Sequence, residues 1–114
     1  MVQYLEKESD FNEIVKSGNV VVDFFATWCG PCRIMTRVLQ EVEKDYPNVT
    51  FLKVDTDKFA PIAMAFSIVS IPTLIAYKDG KRIPIKHDGA QEGQLLGARG
   101  EEDFRLILNE TFQL

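Results

Sequence analysis

Apolar residues in this chain follow two rhythms. From Val20 to Ala26 they are almost continuous, broken only by Asp23, which is how a strand covered on both faces reads. Val49–Val54 and Thr73–Tyr77 carry similar runs, and Val2–Leu5 a shorter one. Between these runs the apolar positions fall three and four residues apart, the period of one helix face. Phe11, Ile14 and Val15 do so after Ser9-Asp10, and Asp10 with Glu13 makes a capping-box pattern, predicting a helix to about Ser17. Ile34, Met35, Val38, Leu39 and Val42 mark a second helix from Cys32 to about Asp45, with Arg33, Arg37, Glu41 and Lys44 on its polar side. Pro61 suits the first turn of a short third helix, whose Ile62, Met64, Ala65 and Phe66 are expected in the core. Phe104, Ile107, Leu108 and Phe112 stripe a last helix, Glu101–Phe112, whose first turn holds three acids where the helix dipole favours them.

Gly18-Asn19 and Pro47-Asn48 punctuate the early elements, and Asp79-Gly80 signals a tight hairpin with a partner strand to follow. The predicted order is β-α-β-α-β-α-β-β-α. Early alternation demands right-handed parallel crossovers, and the late hairpin adds antiparallel strands. The expected fold is therefore α/β, a central mixed β-sheet flanked by helices on both faces, with residues 1–114 forming one domain. One stretch, Lys81–Arg99, fits this scheme poorly. Its Asp88-Gly89-Ala90-Gln91-Glu92-Gly93 composition is loop-like, and an insertion of about eight residues between Lys86 and Leu95 is expected at the surface.

Composition narrows the function. A net charge of −4 and a pI near 5.0 argue against a nucleic-acid surface. No apolar run approaches the length of a membrane span. The N-terminus shows no basic segment followed by a long apolar one. The only two cysteines, Cys29 and Cys32, leave none for structural bridges. A reducing compartment, the cytoplasm by default, is expected.

Those cysteines sit in Trp28-Cys29-Gly30-Pro31-Cys32, where a strand ends and a helix begins. Unpaired N–H groups and the macrodipole at a helix start favour a thiolate, the attacking species in disulfide exchange. Pro31 costs little in the first turn. A zinc site wants four ligands, and the only further N/S ligand is His87, so no metal is expected. Inert buried thiols would sit in apolar surroundings, whereas these flank Gly-Pro at a strand–helix turn. A redox pair is the reading these residues favour. Cys29, nearer the exposed turn, is expected to be the nucleophile, and Cys32, one turn into the helix, the resolving thiol.

Asp23 is the second candidate. A lone carboxylate in so apolar a strand is costly to bury ionised, which raises its affinity for a proton. Such a group can take the proton from Cys32, through a water, as that thiol attacks. The alternative is an aspartate pointing to solvent.

The chain resembles the thioredoxin family. The resemblance rests on Val22-Asp23-Phe24, Ala26-Thr27-Trp28-Cys29-Gly30-Pro31-Cys32, Phe51-Leu52-Lys53-Val54-Asp55 and Ser70-Ile71-Pro72-Thr73-Leu74. It implies the thioredoxin fold and a protein-disulfide reductase, a cell redox electron carrier with a redox-active Cys29–Cys32 disulfide and no bound cofactor. It implies a monomer that takes electrons from thioredoxin reductase or an equivalent donor and passes them to disulfide-containing proteins. It implies that Pro72 is cis and leaves the Ile71 backbone free to pair with substrate. The expected docking rim comprises Trp28, Ile71, Pro72, Thr73 and a family Gly-Ala pair, for which Gly97-Ala98 is favoured over Gly89-Ala90. Some family members pair the buried carboxylate with a lysine. That lysine is expected to fall at Phe51 here, with Lys53 facing the other way, so Asp23 is expected to lack a cationic partner on that side. The alternative function is a thioredoxin-fold binding module or subunit independent of its thiols. An oxidase or isomerase of the secretory pathway is disfavoured by Gly30-Pro31.

Overall fold

The apolar runs lie side by side in one sheet. The computed structural model describes residues 1–114, with strands β1 (Val2–Tyr4), β2 (Asn19–Phe25), β3 (Val49–Asp55), β4 (Thr73–Lys78), β5 (Lys81–Ile83) and β6 (Leu95–Leu96). The helices are α1 (Asp10–Val15), α2 (Gly30–Val42, continued by a 3-10 turn), α3 (Ala60–Ala65) and α4 (Glu101–Phe112). The strand order is β1-β3-β2-β4-β5, and β6 also pairs with β4. β3 is parallel to β1 and β2, whereas β4 is antiparallel to β2, β5 and β6.

Successive side chains on β2 point to opposite faces, as the strand period requires. Val20, Val22 and Phe24 pack with Phe11 and Val15 of α1 and Ile62 of α3. Val21 packs on the other face with Met35 and Leu39 of α2 and Phe104 and Leu108 of α4. Cover on both sides explains why β2 has no alternating polar face. Asp23, two residues from Val21, shares the α2–α4 face.

Three helix details differ from expectation. Ser9 precedes α1 with helical dihedrals and makes no side-chain cap, and α1 ends at Val15. A cap needs an extended residue to aim its oxygen at the first N–H groups, so the Asp10–Glu13 pattern goes unused there. Met64 is 78% exposed; Ile62 and Ala63 are the buried residues of α3, and Phe66 packs against Phe11 and Phe24 from beyond its end. Ile34 is half exposed, because the buried stripe of α2 runs through Met35, Val38, Leu39 and Val42.

The hairpin forms with Lys78 opposite Lys81, and Asp79 and Gly80 both take positive φ, as a type I′ turn requires. The insertion is longer than expected and begins earlier. Ile83 pairs with Ala76 and Leu95 with Leu74, so one residue would suffice opposite Ile75. Eleven residues, Pro84 to Gln94, stand there instead. β5 and β6 are thus two pieces of one edge strand, divided by an excursion. β6, only two residues long, is too short to show any period in the sequence. The Ile85 N–H donates to the Gly93 carbonyl at 2.9 Å and closes the neck of the excursion. Gly93 has φ +78°, and a Cβ there would come within 3.1 Å of the Pro84 backbone; glycine is required. Ile85 is buried beside Leu95, and the Lys86 N–H donates to Thr111 of α4. His87 to Glu92 lie outside the core.

Replacing His87–Glu92 with a short glycine-containing turn is therefore expected to keep stability within about 1 kcal/mol of wild type. Ile85→Ala is expected to cost about 2–4 kcal/mol. Denaturant unfolding checks both, and the opposite ranking would show that the tip, not the neck, anchors the excursion.

Candidate active site

The end of β2 and the start of α2 put the two cysteines together. Cys29 is extended and occupies the N-cap of α2, where its sulfur accepts the Cys32 N–H at 3.2 Å. Gly30 and Pro31 fill the first turn, and Cys29 and Cys32 are joined as a disulfide with Cα atoms 5.2 Å apart. Cys32 is 1% exposed and Cys29 5%. Trp28 is 69% exposed beside them, and its indole N–H donates to Asp57 Oδ2 at 2.9 Å. Asp57 lies in the turn after β3, and nothing in the sequence singled it out.

Opposite the disulfide, the Ile71–Pro72 peptide bond is cis, and the Ile71 carbonyl oxygen lies 3.9 Å from Cys29 Sγ. Thr73 opens β4 and donates its hydroxyl to the Ser70 carbonyl. The Gly97 N–H donates to the Pro72 carbonyl at 2.9 Å, and Gly97 takes φ +86°. Ala98 packs at the margin of the α2–α4 core. Gly89 instead faces Arg99 and His87. The structure thus gathers Trp28, Ile71, Pro72 and Gly97 around Cys29, with Gly89-Ala90 out on the excursion.

Asp23 is fully buried, and the expectation that it lacks a cationic partner is overturned. Lys53 Nζ donates to Asp23 Oδ2 at 3.0 Å, and Lys53 itself is 1% exposed. The register explains the error. Asp23 lies directly beside Lys53, and Val21 beside Phe51. Phe51 and Lys53 are two residues apart and share one face, so the lysine had to point toward the carboxylate. The ammonium also donates to Thr36 Oγ1 at 2.7 Å and sits 4.1 Å from the Phe25 ring centroid. Asp23 Oδ1 has no hydrogen-bond partner in the protein. Burial pushes the Asp23 carboxyl above the usual aspartate range, and the nearby Lys53 charge and hydrogen bond only partly offset this.

A cleft of about 450 Å³ opens on this side of the site, lined by Cys32, Thr36, Lys53, Tyr4 and Arg33 among others. Cys32, Thr36 and Lys53 thus share the wall of one opening toward solvent. No three His, Cys, Asp or Glu side chains gather as metal ligands, and no helix is long and apolar enough to cross a membrane. The arrangement is a disulfide at a helix start, with a buried carboxylate–lysine pair on the neighbouring strands and an exposed tryptophan beside it.

Comparison with known proteins agrees with this geometry. The Thioredoxin family model matches residues 2–99. Over 83 residues the chain is 48% identical to thioredoxin of Chlamydia trachomatis, covering 73% of this chain and 80% of that protein. It is 40% identical over 85 residues to thioredoxin-2 of Saccharomyces cerevisiae, covering 73% and 82%. The solution structure of oxidised thioredoxin from Plasmodium falciparum superposes with a TM-score of 0.79 at 32% identity, over 97% of this chain and 99% of that one. Motif, sheet order, disulfide and relatives converge: the chain belongs to the thioredoxin family of thiol–disulfide oxidoreductases.

Proposed function

We propose that this protein-disulfide reductase works by ordered attack, Cys29 first and Cys32 second. In the reduced state the Cys29 thiolate attacks one sulfur of a target disulfide. A Cys29–target S–S bond forms, the target S–S bond breaks, and the departing target thiolate takes a proton. The Cys32 thiol then gives its proton to the Asp23 carboxylate, directly or through a water, and attacks Cys29 Sγ. The Cys29–Cys32 bond forms, the mixed disulfide breaks, and the second target sulfur leaves. The target has gained two electrons and the dithiol has become the disulfide.

The single observation that carries this order is the placement of Cys29 at the N-cap of α2, with Cys32 deeper and nearly sealed. The incoming substrate strand pairs with the backbone at Ile71, which the cis peptide presents beside Cys29. Trp28, Pro72, Gly97 and Ala98 form the docking rim; Thr73, 1% exposed with its hydroxyl on the Ser70 carbonyl, lies beneath it rather than on it. Electrons return from thioredoxin reductase or an equivalent dithiol donor, which makes the chain a link in electron transport. It acts as a cytoplasmic monomer and needs no bound cofactor, because the two sulfurs store the electrons.

Insulin-type disulfide reduction with a thiol reductant tests the reading. The wild type is expected to accelerate it, and Cys29→Ser to bring it to the uncatalysed rate. An unchanged rate in Cys29→Ser would leave the fold serving only as a binding module.

A further inference from the structure

Lys53 does not stop at Asp23. Its ammonium is shared between Asp23 Oδ2 at 3.0 Å and Thr36 Oγ1 at 2.7 Å, with the Phe25 ring covering another side. The Thr36 hydroxyl has one proton, and it goes to the Cys32 carbonyl at 3.0 Å. Its lone pairs are therefore left for the ammonium, an arrangement with a fixed direction. The chain of contacts runs from the base, through lysine and threonine, to the backbone of the cysteine that the base must deprotonate. Thr36 lies one turn beyond Cys32 on α2, so the ordinary back-bond of a helical threonine to the carbonyl four residues earlier aims its oxygen into the site.

We propose that Thr36 is a positioning residue of the disulfide exchange, tethering the Lys53 ammonium to the Oδ2 edge of Asp23 so that Oδ1 stays open for the Cys32 proton. This rests on the reading of Asp23 as proton acceptor. A buried ammonium that loses one acceptor turns its free N–H to the nearest remaining one. Without the Thr36 hydroxyl, the unpartnered acceptor on the carboxylate that the ammonium already binds is Asp23 Oδ1. An ammonium bridging both oxygens holds the carboxylate more firmly in its charged form and blocks the oxygen that the thiol proton must reach.

The groups around Asp23 leave few other causes for such a change. From β3, Lys53 is the one charged side chain that bears on its ionisation. Its β4 neighbour is Leu74, which has no charge. From α2, Thr36 reaches Lys53, and Cys32 lines the same cleft as Lys53. Tyr4, Glu6, Arg33, Asp55 and Lys58 line the cleft beside Lys53.

The test compares Thr36→Val, which keeps the shape and removes the hydroxyl, with Thr36→Ser, which restores it. Two readouts are taken on the intact protein. One is the titration of the Asp23 side-chain carboxyl by carbon NMR in the oxidised state. The other is the pH profile of the single-turnover resolution of a mixed disulfide between Cys29 and a small aromatic thiol. In Thr36→Val the titration midpoint is expected to fall and resolution near neutral pH to slow about threefold to tenfold. Thr36→Ser is expected to return both to wild type. A midpoint that stays or rises in Thr36→Val overturns the proposal, as does a slowed rate that serine fails to rescue. The titration needs no turnover, so its outcome separates failure of the tether from failure of Asp23 as the proton acceptor. If the midpoint falls and the rate does not change, Thr36 tethers Lys53 but Asp23 is not the base, and the proposed positioning role is overturned.

Discussion

Cys32→Ser is expected to accumulate as a stable mixed disulfide with its protein substrates, bonded through Cys29, with turnover reduced to background. The first attack needs only the Cys29 thiolate and an accessible target, and both survive the substitution. The second attack needs a sulfur one helical turn away, and the serine hydroxyl cannot supply it. Cys32 is nearly sealed from solvent, so an external thiol cannot easily take over from inside the site. Non-reducing gels and mass spectrometry of the trapped species check the result. Trapping by Cys29→Ser, with none by Cys32→Ser, would reverse the order of attack.

Asp23→Asn carries the second large effect, and it acts on stability and rate in opposite directions. The folded-state affinity of Asp23 for its proton is raised, with burial outweighing Lys53. A group raised in this way contributes stability that is full below its unfolded value, about pH 3.9, and is lost as pH rises through the raised folded value. Above that window the fold carries an ionised carboxylate that would be better hydrated in the unfolded chain. Asparagine keeps the neutral shape at every pH. The substitution also leaves the Lys53 ammonium buried without its carboxylate, held by Thr36 and the Phe25 ring. Because burial outweighs Lys53 at Asp23, the variant is still expected to be more stable than wild type above the window. It is also expected to lose this part of the fall in stability with rising pH. Resolution by Cys32 is expected to slow about tenfold or more near neutral pH, because no carboxylate is left to receive the proton. Denaturant unfolding at several pH values and single-turnover kinetics measure the two effects. A variant less stable than wild type above the window would mean that the Asp23–Lys53 attraction outweighs the burial of the Asp23 charge.

What the sequence revealed followed from period and punctuation. The continuous run of β2 signals a strand covered on both faces, and Trp28 to Cys32 fall at the end of it, so the junction holding the disulfide is legible from the sequence alone. The α2 and α4 stripes were equally plain, because four or more buried positions recur at helical spacing in each. Three features were hidden for different reasons. Lys53 reads as facing away from Asp23, whereas its register beside that residue makes it the carboxylate's partner. Correct use of the strand period from Phe51 would have found it. Asp57 meets Trp28 across a turn, a contact that no local pattern encodes. The two-residue β6 is defined by the strand it pairs with, so Leu95 read only as the far end of the insertion expected after Lys86.

That interrupted strand also bears on self-association. A sheet edge offers unpaired N–H and C=O groups as a template for another chain, and long flat edges invite fibrils. Here β1, at one edge, has three residues, and the other edge is cut into pieces of three and two. With Pro84–Gln94 bulging from the gap, an incoming strand would lose its partner after at most three residues. Restoring the edge by deleting the whole excursion would join Lys81–Ile83 to Leu95–Leu96 in one template. The excursion therefore shortens the template that this edge of the sheet offers to strand addition.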